Sequence, residues 1–215
     1  MTGTNEAKAM IDLYSFGSSN GARAAVMLEE CGLPYRVHRV DLAKGEQRAP
    51  GFLAVNPLGQ IPVIVDGEGP GGGSITVAQS GAILLYLAAK TGCLMPGDPV
   101  ERVRAVEWVF HAVTDCAGAS GSIYTMSARV PDRSEANVRF FEERLLGYLR
   151  VADGALARHP FLVGTTFTIA DVALYPIVAV RRALVDRAGD LPNLVRWADL
   201  VGGRAAVARG MKAAD

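Results

Sequence analysis

The amino-acid sequence predicts an α/β domain followed by an all-helical domain. Two observations lead to this fold class. Between residues 10 and 91, strand-like runs alternate with helix-like runs, and glycine or proline separates them. From residue 98 to residue 215, apolar residues recur at helical spacing and no strand-like run is found. Residues 1–9 contain no apolar run, and we expect them to form a flexible tail.

The first domain, residues 10–91, is predicted to follow the order β-α-β-α-β-β-α. Its strands have short apolar or alternating patterns and are expected at residues 11–16, 35–42, 61–66 and 74–77. Its helices are expected at residues 21–30, 49–57 and 78–90. A glycine-rich turn separates the last two strands, which indicates a hairpin and gives a small α/β sandwich.

The second domain, residues 98–215, is predicted to begin with a well-capped helix. Asp98, Pro99 and Glu101 form a pattern typical of a helix start. The helix that follows has an apolar stripe, the usual sign of a face packed on a core. The stripe consists of Val103, Val106, Phe110, Val113 and Ala117.

Three further helices are predicted in this domain. Ser134 is expected to cap the first, whose apolar face consists of Val138, Phe141, Leu145 and Leu149. The run 168–185 is mostly apolar, so we expect it at the centre of the bundle. An amphipathic helix is expected to start at Pro192 and to reach residue 201.

The composition indicates a soluble globular protein. Of the 215 residues 50% are hydrophobic, and 22 basic residues balance 22 acidic ones, which argues against a nucleic-acid or anionic-membrane surface. No apolar run has the length of a membrane span. Cys31, Cys93 and Cys116 are odd in number and widely spaced, which indicates reduced thiols in a cytoplasmic protein. No cluster has metal-ligand spacing, so no metal is expected.

Four motifs together resemble the cytosolic glutathione S-transferase family over about residues 10–210. They are YSFGSSNGAR (14–23), NPLGQIPVIVD (56–66), AQSGAILLYLA (78–88) and FLVGTTFTIADVALYPIV (161–178). Each motif alone is only moderately specific, but their order and spacing are typical of the family. The resemblance implies a thioredoxin-like N-terminal domain, a helical C-terminal domain, a homodimer and glutathione as co-substrate.

The resemblance also implies which residues hold glutathione. Pro62 matches a proline that follows a cis peptide bond in the family, where the backbone of Ile61 would pair with the ligand like an added strand. Ser80 would hold the γ-glutamyl carboxylate at a helix N-terminus, and Gln79 stands where many relatives have glutamate for the ligand's amino group. Gln47 would contact the glycine end. The alternatives are a trans proline, simple capping by Ser80 and an ordinary loop residue at Gln47.

The corner at residues 14–23 corresponds to the place where relatives activate the glutathione thiol. The thiolate is the nucleophile, and hydrogen bonds to the sulfur lower the thiol's pKa. Ser18-x-Asn20-Gly21 is similar to the Thr-x-Asn-Gly pattern of the bacterial Nu class, which implies that Ser18 Oγ and Asn20 Nδ2 donate to the sulfur. The alternative is that both residues only cap the following helix. Tyr14, inside the strand, is a weaker rival.

Two other sets of residues stand out in the helical domain. Trp108 and His111 share a polar-aromatic stripe and are candidates for a second-substrate pocket, with an ordinary interface stripe as the alternative. Thr168 and Asp171 resemble the family's helix-capping motif, which is structural.

The sequence therefore suggests a glutathione-dependent transferase or oxidoreductase, nearest the Nu class, whose glutathione thiolate attacks a disulfide or a small electrophile. One alternative is an isomerase or dehalogenase on the same fold. Another is a non-catalytic interaction protein. Gln79 favours that last alternative, because a neutral amide binds an ammonium group less strongly than a carboxylate does.

Overall fold

The computed structural model describes residues 10–213 and confirms the predicted fold class. A four-stranded sheet with helices is followed by helices alone. The strands are β1 (Ile11–Ser15), β2 (Tyr35–Arg39), β3 (Val63–Asp66) and β4 (Ile75–Ala78). The predicted tail, residues 1–9, lies outside the described residues.

The sheet has the strand order β2-β1-β3-β4. β1 pairs in parallel with β2 and antiparallel with β3, and β3 and β4 form the predicted hairpin. β3 starts one residue after Pro62, which has no N–H group to donate to a ladder. This topology places the end of β1 and the start of β3 side by side, with Tyr14 opposite Val63.

Three helices accompany the sheet: α1 (Ser19–Glu30), α2 (Pro50–Val55) and α3 (Ser80–Thr91). α1 starts two residues earlier than predicted, because the Ser18 side chain accepts a hydrogen bond from the Gly21 N–H group and caps the helix. α1 and α3 bury apolar side chains in a core shared with the sheet. Leu13, Met27, Ile64 and Leu84 belong to that core.

The remaining helices form the bundle. They are α4 (Pro99–Phe110), α5 (Ala117–Tyr124), α6 (Glu135–Leu156), α7 (Ile169–Val180), α8 (Arg182–Ala188), α9 (Pro192–Gly202) and α10 (Ala205–Lys212). π-helical segments at His111–Cys116 and Thr125–Arg129 continue α4 and α5. None of the helices within residues 10–213 is both long enough and apolar enough for a membrane crossing.

The predicted helix starts at Asp98, Ser134 and Pro192 are confirmed. The run 168–185 does lie at the centre, and α7 is almost wholly buried. However, this run divides at Arg181 into α7 and α8. α10 was not predicted. It packs on α1 so closely that a Cβ atom on Gly210 would lie 2.5 Å from the Val26 Cα atom.

The buried face of α4 is not the predicted apolar stripe. Val103 and Phe110 of that stripe are 66% and 54% exposed. The buried residues are Ala105 and Val109, on the face that α4 turns towards α7. The small Ala105 side chain allows a close helix-helix approach, so α7 selects this face although the other one has larger apolar residues.

Candidate active site

A polar cleft of about 350 Å³ lies where the corner after β1, the segment before β3 and the start of α3 meet. It brings together all the residues that the sequence predicted to hold glutathione or to activate its thiol. These are Ser18, Asn20, Gln47, Ile61, Pro62, Gln79 and Ser80. Sequence reasoning missed the rest of the lining, which is Leu42, Arg48, Asn56, Gly59 and Gln60.

The Ile61–Pro62 peptide bond is cis, as the resemblance implied. Ile61 lines the cleft and lies two residues before Val63, the first residue of β3, so its backbone can pair with an extended ligand. The loop that leads to this bond is fixed by Asn56, whose Nδ2 donates to the Gln60 carbonyl oxygen at 2.7 Å and whose Oδ1 accepts from the Leu58 N–H group at 3.2 Å. The buried Asn56 side chain thus shapes one wall of the cleft.

Gln79 and Ser80 lie at the N-terminus of α3, in different positions. Both were predicted in its first turn, but Gln79 is the residue before the helix and Ser80 is the first helical residue. Gln79 has φ 73°, a left-handed backbone that is uncommon for a side chain other than glycine. Strained backbone of this kind is concentrated at functional sites. The exposed Gln79 side chain and the buried Ser80 hydroxyl both line the cleft.

Ser18 caps α1 and can also act on a ligand. Its Oγ accepts from the Gly21 N–H group at 3.1 Å, so the capping alternative is real. A hydroxyl that accepts one hydrogen bond still has its own O–H hydrogen to donate. The two predicted roles of Ser18 are therefore compatible.

Only glycine fits at position 21, because neighbouring atoms leave no room for a side chain. A Cβ atom there would lie 2.3 Å from Ser15 Oγ and 2.6 Å from the Phe16 carbonyl oxygen. The glycine lets the first turn of α1 pack against the end of β1, which holds Ser18 and Asn20 at the cleft.

Arg23 is the residue of this region that sequence reasoning did not single out. It is fully buried behind the cleft, and its Nη1 donates to Asn20 Oδ1 and, at 3.2 Å, to Ser80 Oγ. Its Nε donates to the Ala173 carbonyl oxygen of α7 at 2.6 Å. Burial lowers the pKa of the Arg23 guanidinium to about 10, so it is charged at neutral pH. The available signal was a charge inside the otherwise apolar run ARAAVML (22–28).

Gln47 and Arg48 line the cleft from the segment after β2. The Oε1 atom of Gln47 is buried without a hydrogen-bond partner among the described residues, and Gln47 lines the cleft. Arg48 adds a cation to the lining.

Trp108 and His111 line a different groove of about 340 Å³, together with Val151 of α6. This groove shares no lining residue with the cleft. The His111 ring contacts the Trp108 ring edge-on at 5.2 Å. A second-substrate role for this pair would thus require a site apart from the cleft. Tyr14 does not line the cleft either, since it stacks on His38 at 4.6 Å.

The three cysteines do not line the cleft. Burial raises the pKa of Cys31 to about 11 and that of Cys116 to about 12, which disfavours their thiolates. Within residues 10–213, no group of three or more His, Cys, Asp or Glu side chains is placed to hold a metal ion.

Comparisons with known proteins agree on one family. A model of the glutathione S-transferase N-terminal domain matches residues 17–90, and a model of the C-terminal domain matches residues 113–204. The Escherichia coli disulfide-bond oxidoreductase YfcG is 33% identical over 94% of both chains. The disulfide-bond oxidoreductase YghU of the same organism is 34% identical over 94% of this chain and 74% of its own length.

Solved structures give the same result. A glutathione transferase of Burkholderia graminis, with two glutathione molecules bound per subunit, has a TM-score of 0.89 and 32% identity over 94% of this chain and 88% of its own. A glutathione transferase of Pseudomonas putida, with one glutathione disulfide bound per subunit, has a TM-score of 0.87 and 28% identity over 97% of this chain and 94% of its own.

Proposed function

This chain belongs to the glutathione S-transferase family, and from that premise we propose that it reduces disulfides with glutathione bound in the cleft. Relatives of this chain are named disulfide-bond oxidoreductases and glutathione transferases, and glutathione-dependent transferase or oxidoreductase activity is the activity of this protein. One observation carries the finer proposal: a single cleft collects the cis Ile61–Pro62 bond, a helix N-terminus and the two donors of the Ser18 corner.

The ligand would bind along the cleft as an extended peptide. The backbone of Ile61 pairs with the central cysteine of glutathione. Ser80, at the positive end of α3, holds the γ-glutamyl carboxylate, and Gln79 accepts from the ammonium group. Gln47 and Arg48 bind the glycine end, because one supplies a free acceptor and the other a positive charge.

Ser18 and Asn20 would stabilise the thiolate of glutathione. Ser18 Oγ and Asn20 Nδ2 donate to the sulfur, and both lie at the positive N-terminus of α1. Hydrogen bonds to the charged form and a nearby dipole lower a thiol's pKa. The protein needs no thiol of its own in the cleft, because the ligand supplies it.

The proposed reaction uses two glutathione molecules. The first thiolate attacks one sulfur of the substrate disulfide, forms a mixed disulfide with it and releases the other half, which takes up a proton as a thiol. A second glutathione thiolate then attacks the glutathione sulfur of the mixed disulfide and releases the second thiol. One disulfide is reduced to two thiols while two glutathione molecules are oxidised to glutathione disulfide. The ligands bound to the Burkholderia graminis and Pseudomonas putida proteins support this scheme.

The test compares wild type with Ser18→Ala and Asn20→Ala. We expect the wild-type protein to reduce a small dialkyl disulfide with glutathione. In each variant kcat/KM should be about tenfold to a hundredfold lower, because a hydrogen bond to the charged sulfur is lost. Ser74→Ala, an exposed serine outside the cleft, is the matched control and keeps the wild-type rate. Full rates in both cleft variants would contradict the mechanism.

Two parallel assays separate the alternatives. Turnover of a chlorodinitrobenzene-type electrophile without disulfide reduction would assign conjugation instead. Failure of the wild-type protein to bind immobilised glutathione would favour the non-catalytic interaction protein.

We also place this protein in the cytoplasm as a homodimer. The exposed Val103 and Phe110 side chains form an apolar face on α4 that a second copy can cover. The three cysteines are unpaired, as expected in a reducing compartment. Sedimentation velocity checks the dimer, and Phe110→Glu is expected to yield monomers.

A further inference from the structure

Arg23 is a buried charge that has no acidic partner in the part of the chain that the structure describes. None of the ion pairs formed within residues 10–213 includes Arg23. Its side chain is fully buried, and its Nη2 atom has no hydrogen-bond partner. Buried charges are costly unless they are paired, so an arginine kept in this state calls for an explanation.

The contact with Asn20 determines how the Asn20 amide is oriented. A guanidinium group has only donors, so the atom of Asn20 that contacts Arg23 Nη1 must be the carbonyl oxygen, Oδ1. The amide nitrogen, Nδ2, then points away from Arg23. Asn20 lines the cleft, whereas Arg23 lies behind it. The orientation of the amide leaves its N–H groups as the donors available to a ligand.

The contact with Ser80 follows the same logic. Ser80 Oγ accepts from Arg23 Nη1 at 3.2 Å, and Arg23 cannot accept in return. The Ser80 hydroxyl hydrogen is therefore free to donate to a group in the cleft. Arg23 thus contacts one residue at the sulfur end of the proposed glutathione site and one at the carboxylate end.

We propose that Arg23 is a positioning residue that holds the Asn20 amide with Nδ2 towards the glutathione sulfur and the Ser80 hydroxyl towards the glutathione carboxylate. This inference rests on the proposed function. The bound ligand also supplies what the buried cation lacks, because a glutathione thiolate and carboxylate would lie one side chain away. The Ala173 carbonyl of α7 anchors the guanidinium from behind, so the helical bundle takes part in building the cleft.

The key variants are Arg23→Gln and Arg23→Lys. Glutamine can donate or accept, so it no longer forces the Asn20 amide to present Nδ2. Lysine has only donors, so it keeps that orientation. The pKa of the bound glutathione thiol is measured from the ultraviolet absorbance of the thiolate across pH, and KM for glutathione is measured at fixed pH.

We expect Arg23→Gln to raise the pKa of bound glutathione by about one unit and its KM about tenfold. Arg23→Lys is expected to leave the pKa of the bound glutathione thiol close to its wild-type value. Arg181→Met is the matched control, because Arg181 is a partly buried arginine that donates to Ser120 in the bundle. Neither of these residues lines the cleft, so the change should alter neither quantity. Arg23→Met replaces Arg23→Gln if the glutamine variant does not fold.

The double variant Arg23→Gln/Asn20→Ala tests whether Arg23 acts through Asn20. If it does, the pKa of bound glutathione in the double variant equals that in Asn20→Ala alone. The proposal would be overturned if the pKa shifts of the two single variants added in the double variant. It would also be overturned if Arg23→Gln and Arg23→Lys shifted the pKa of bound glutathione equally, or if Arg23→Gln left that pKa at its wild-type value. A wild-type protein that shows no bound thiolate at all would contradict the proposed function itself, and the role of Arg23 with it.

Discussion

Arg23, beside the cleft, and Asp171, at the start of α7, are charged residues with 0% exposure, and their surroundings differ. Each oxygen of Asp171 accepts two hydrogen bonds. The donors are the Leu162 N–H group at 3.1 Å, Trp197 Nε1 at 2.8 Å, and the Thr168 N–H group and Oγ1 at 2.9 and 3.3 Å. Arg23, in contrast, has an Nη2 atom without a hydrogen-bond partner and forms no ion pair with any described residue.

The comparison separates two uses of buried polar groups. At α7 the capping box is complete within the protein, so the site needs no ligand and serves the fold. Near the cleft, Arg23 Nη2, Gln47 Oε1 and Ser15 Oγ remain without partners. Native proteins rarely leave buried polar groups unsatisfied, so such groups are informative. We infer that some of these atoms form hydrogen bonds with a bound ligand.

Removing the fully hydrogen-bonded Asp171 carboxylate should have the largest effect on stability. Asp171→Ala leaves the Trp197 N–H and two backbone donors buried without an acceptor, so we expect the free energy of unfolding to fall by about 3 kcal/mol or more. Urea denaturation measures this. Asp186→Ala removes an exposed acid paired with Arg182 and should change stability by less than about 1 kcal/mol. Equal losses in both variants would show that Asp171 has no special structural role.

The next effect concerns the corner of the cleft. Gly21→Ala puts a methyl group against the Phe16 carbonyl oxygen and Ser15 Oγ, so we expect a loss of about 1–3 kcal/mol and weaker glutathione binding. Thermal unfolding and glutathione titration test both. Gly147→Ala, in α6, meets no atom within 4 Å and should be neutral or stabilising. If Gly21→Ala kept wild-type glutathione binding, the close contact would not be needed for the site.

A smaller, pH-dependent effect is expected at Asp66, another acid with its partners inside the protein. Burial alone would raise the pKa of Asp66, but hydrogen bonds from Lys90 and Tyr86 lower it below its usual value. A lowered native pKa stabilises the fold above the unfolded value of about 4, and this gain is lost as the pH falls through the native pKa. The difference in Tm between wild type and Asp66→Asn should therefore shrink in acid. A constant difference from neutral pH to acid would rule this out.

The smallest effect is expected from the thiols. Replacing Cys31 and Cys93 by serine and Cys116 by alanine should leave kcat/KM within about twofold of wild type, because none of them lines the cleft and the proposed mechanism takes its thiol from glutathione. A stability loss of about 1 kcal/mol can accompany the change at the buried Cys116. Abolished disulfide reduction in the triple variant would show that a protein thiol takes part.

Seven residues that the sequence singled out do line the cleft, whereas Arg23, which supports them from behind, was not singled out. Ser18, Gln79 and the Ile61–Pro62 pair belong to local motifs, and local motifs can be recognised along the chain. The role of Arg23 depends on the Ala173 carbonyl, 150 residues away, which only the folded chain brings into contact. The apolar stripe of α4 was misleading for a related reason. Helical periodicity shows which residues share a face of α4, but the packing of α7 decides which face is buried.

The docking of α10 on α1 has a consequence for how the cleft comes into being. Arg204, just before α10, forms two hydrogen bonds of 2.7 Å with Glu30, at the end of α1, although the two residues are 174 positions apart. Gly210 then lies against Val26. The helix that begins with the Ser18 corner is therefore held by a segment that is synthesised after every residue of the cleft. A nascent chain that stops short of α10 would already contain every residue of the cleft and still lack this support for α1.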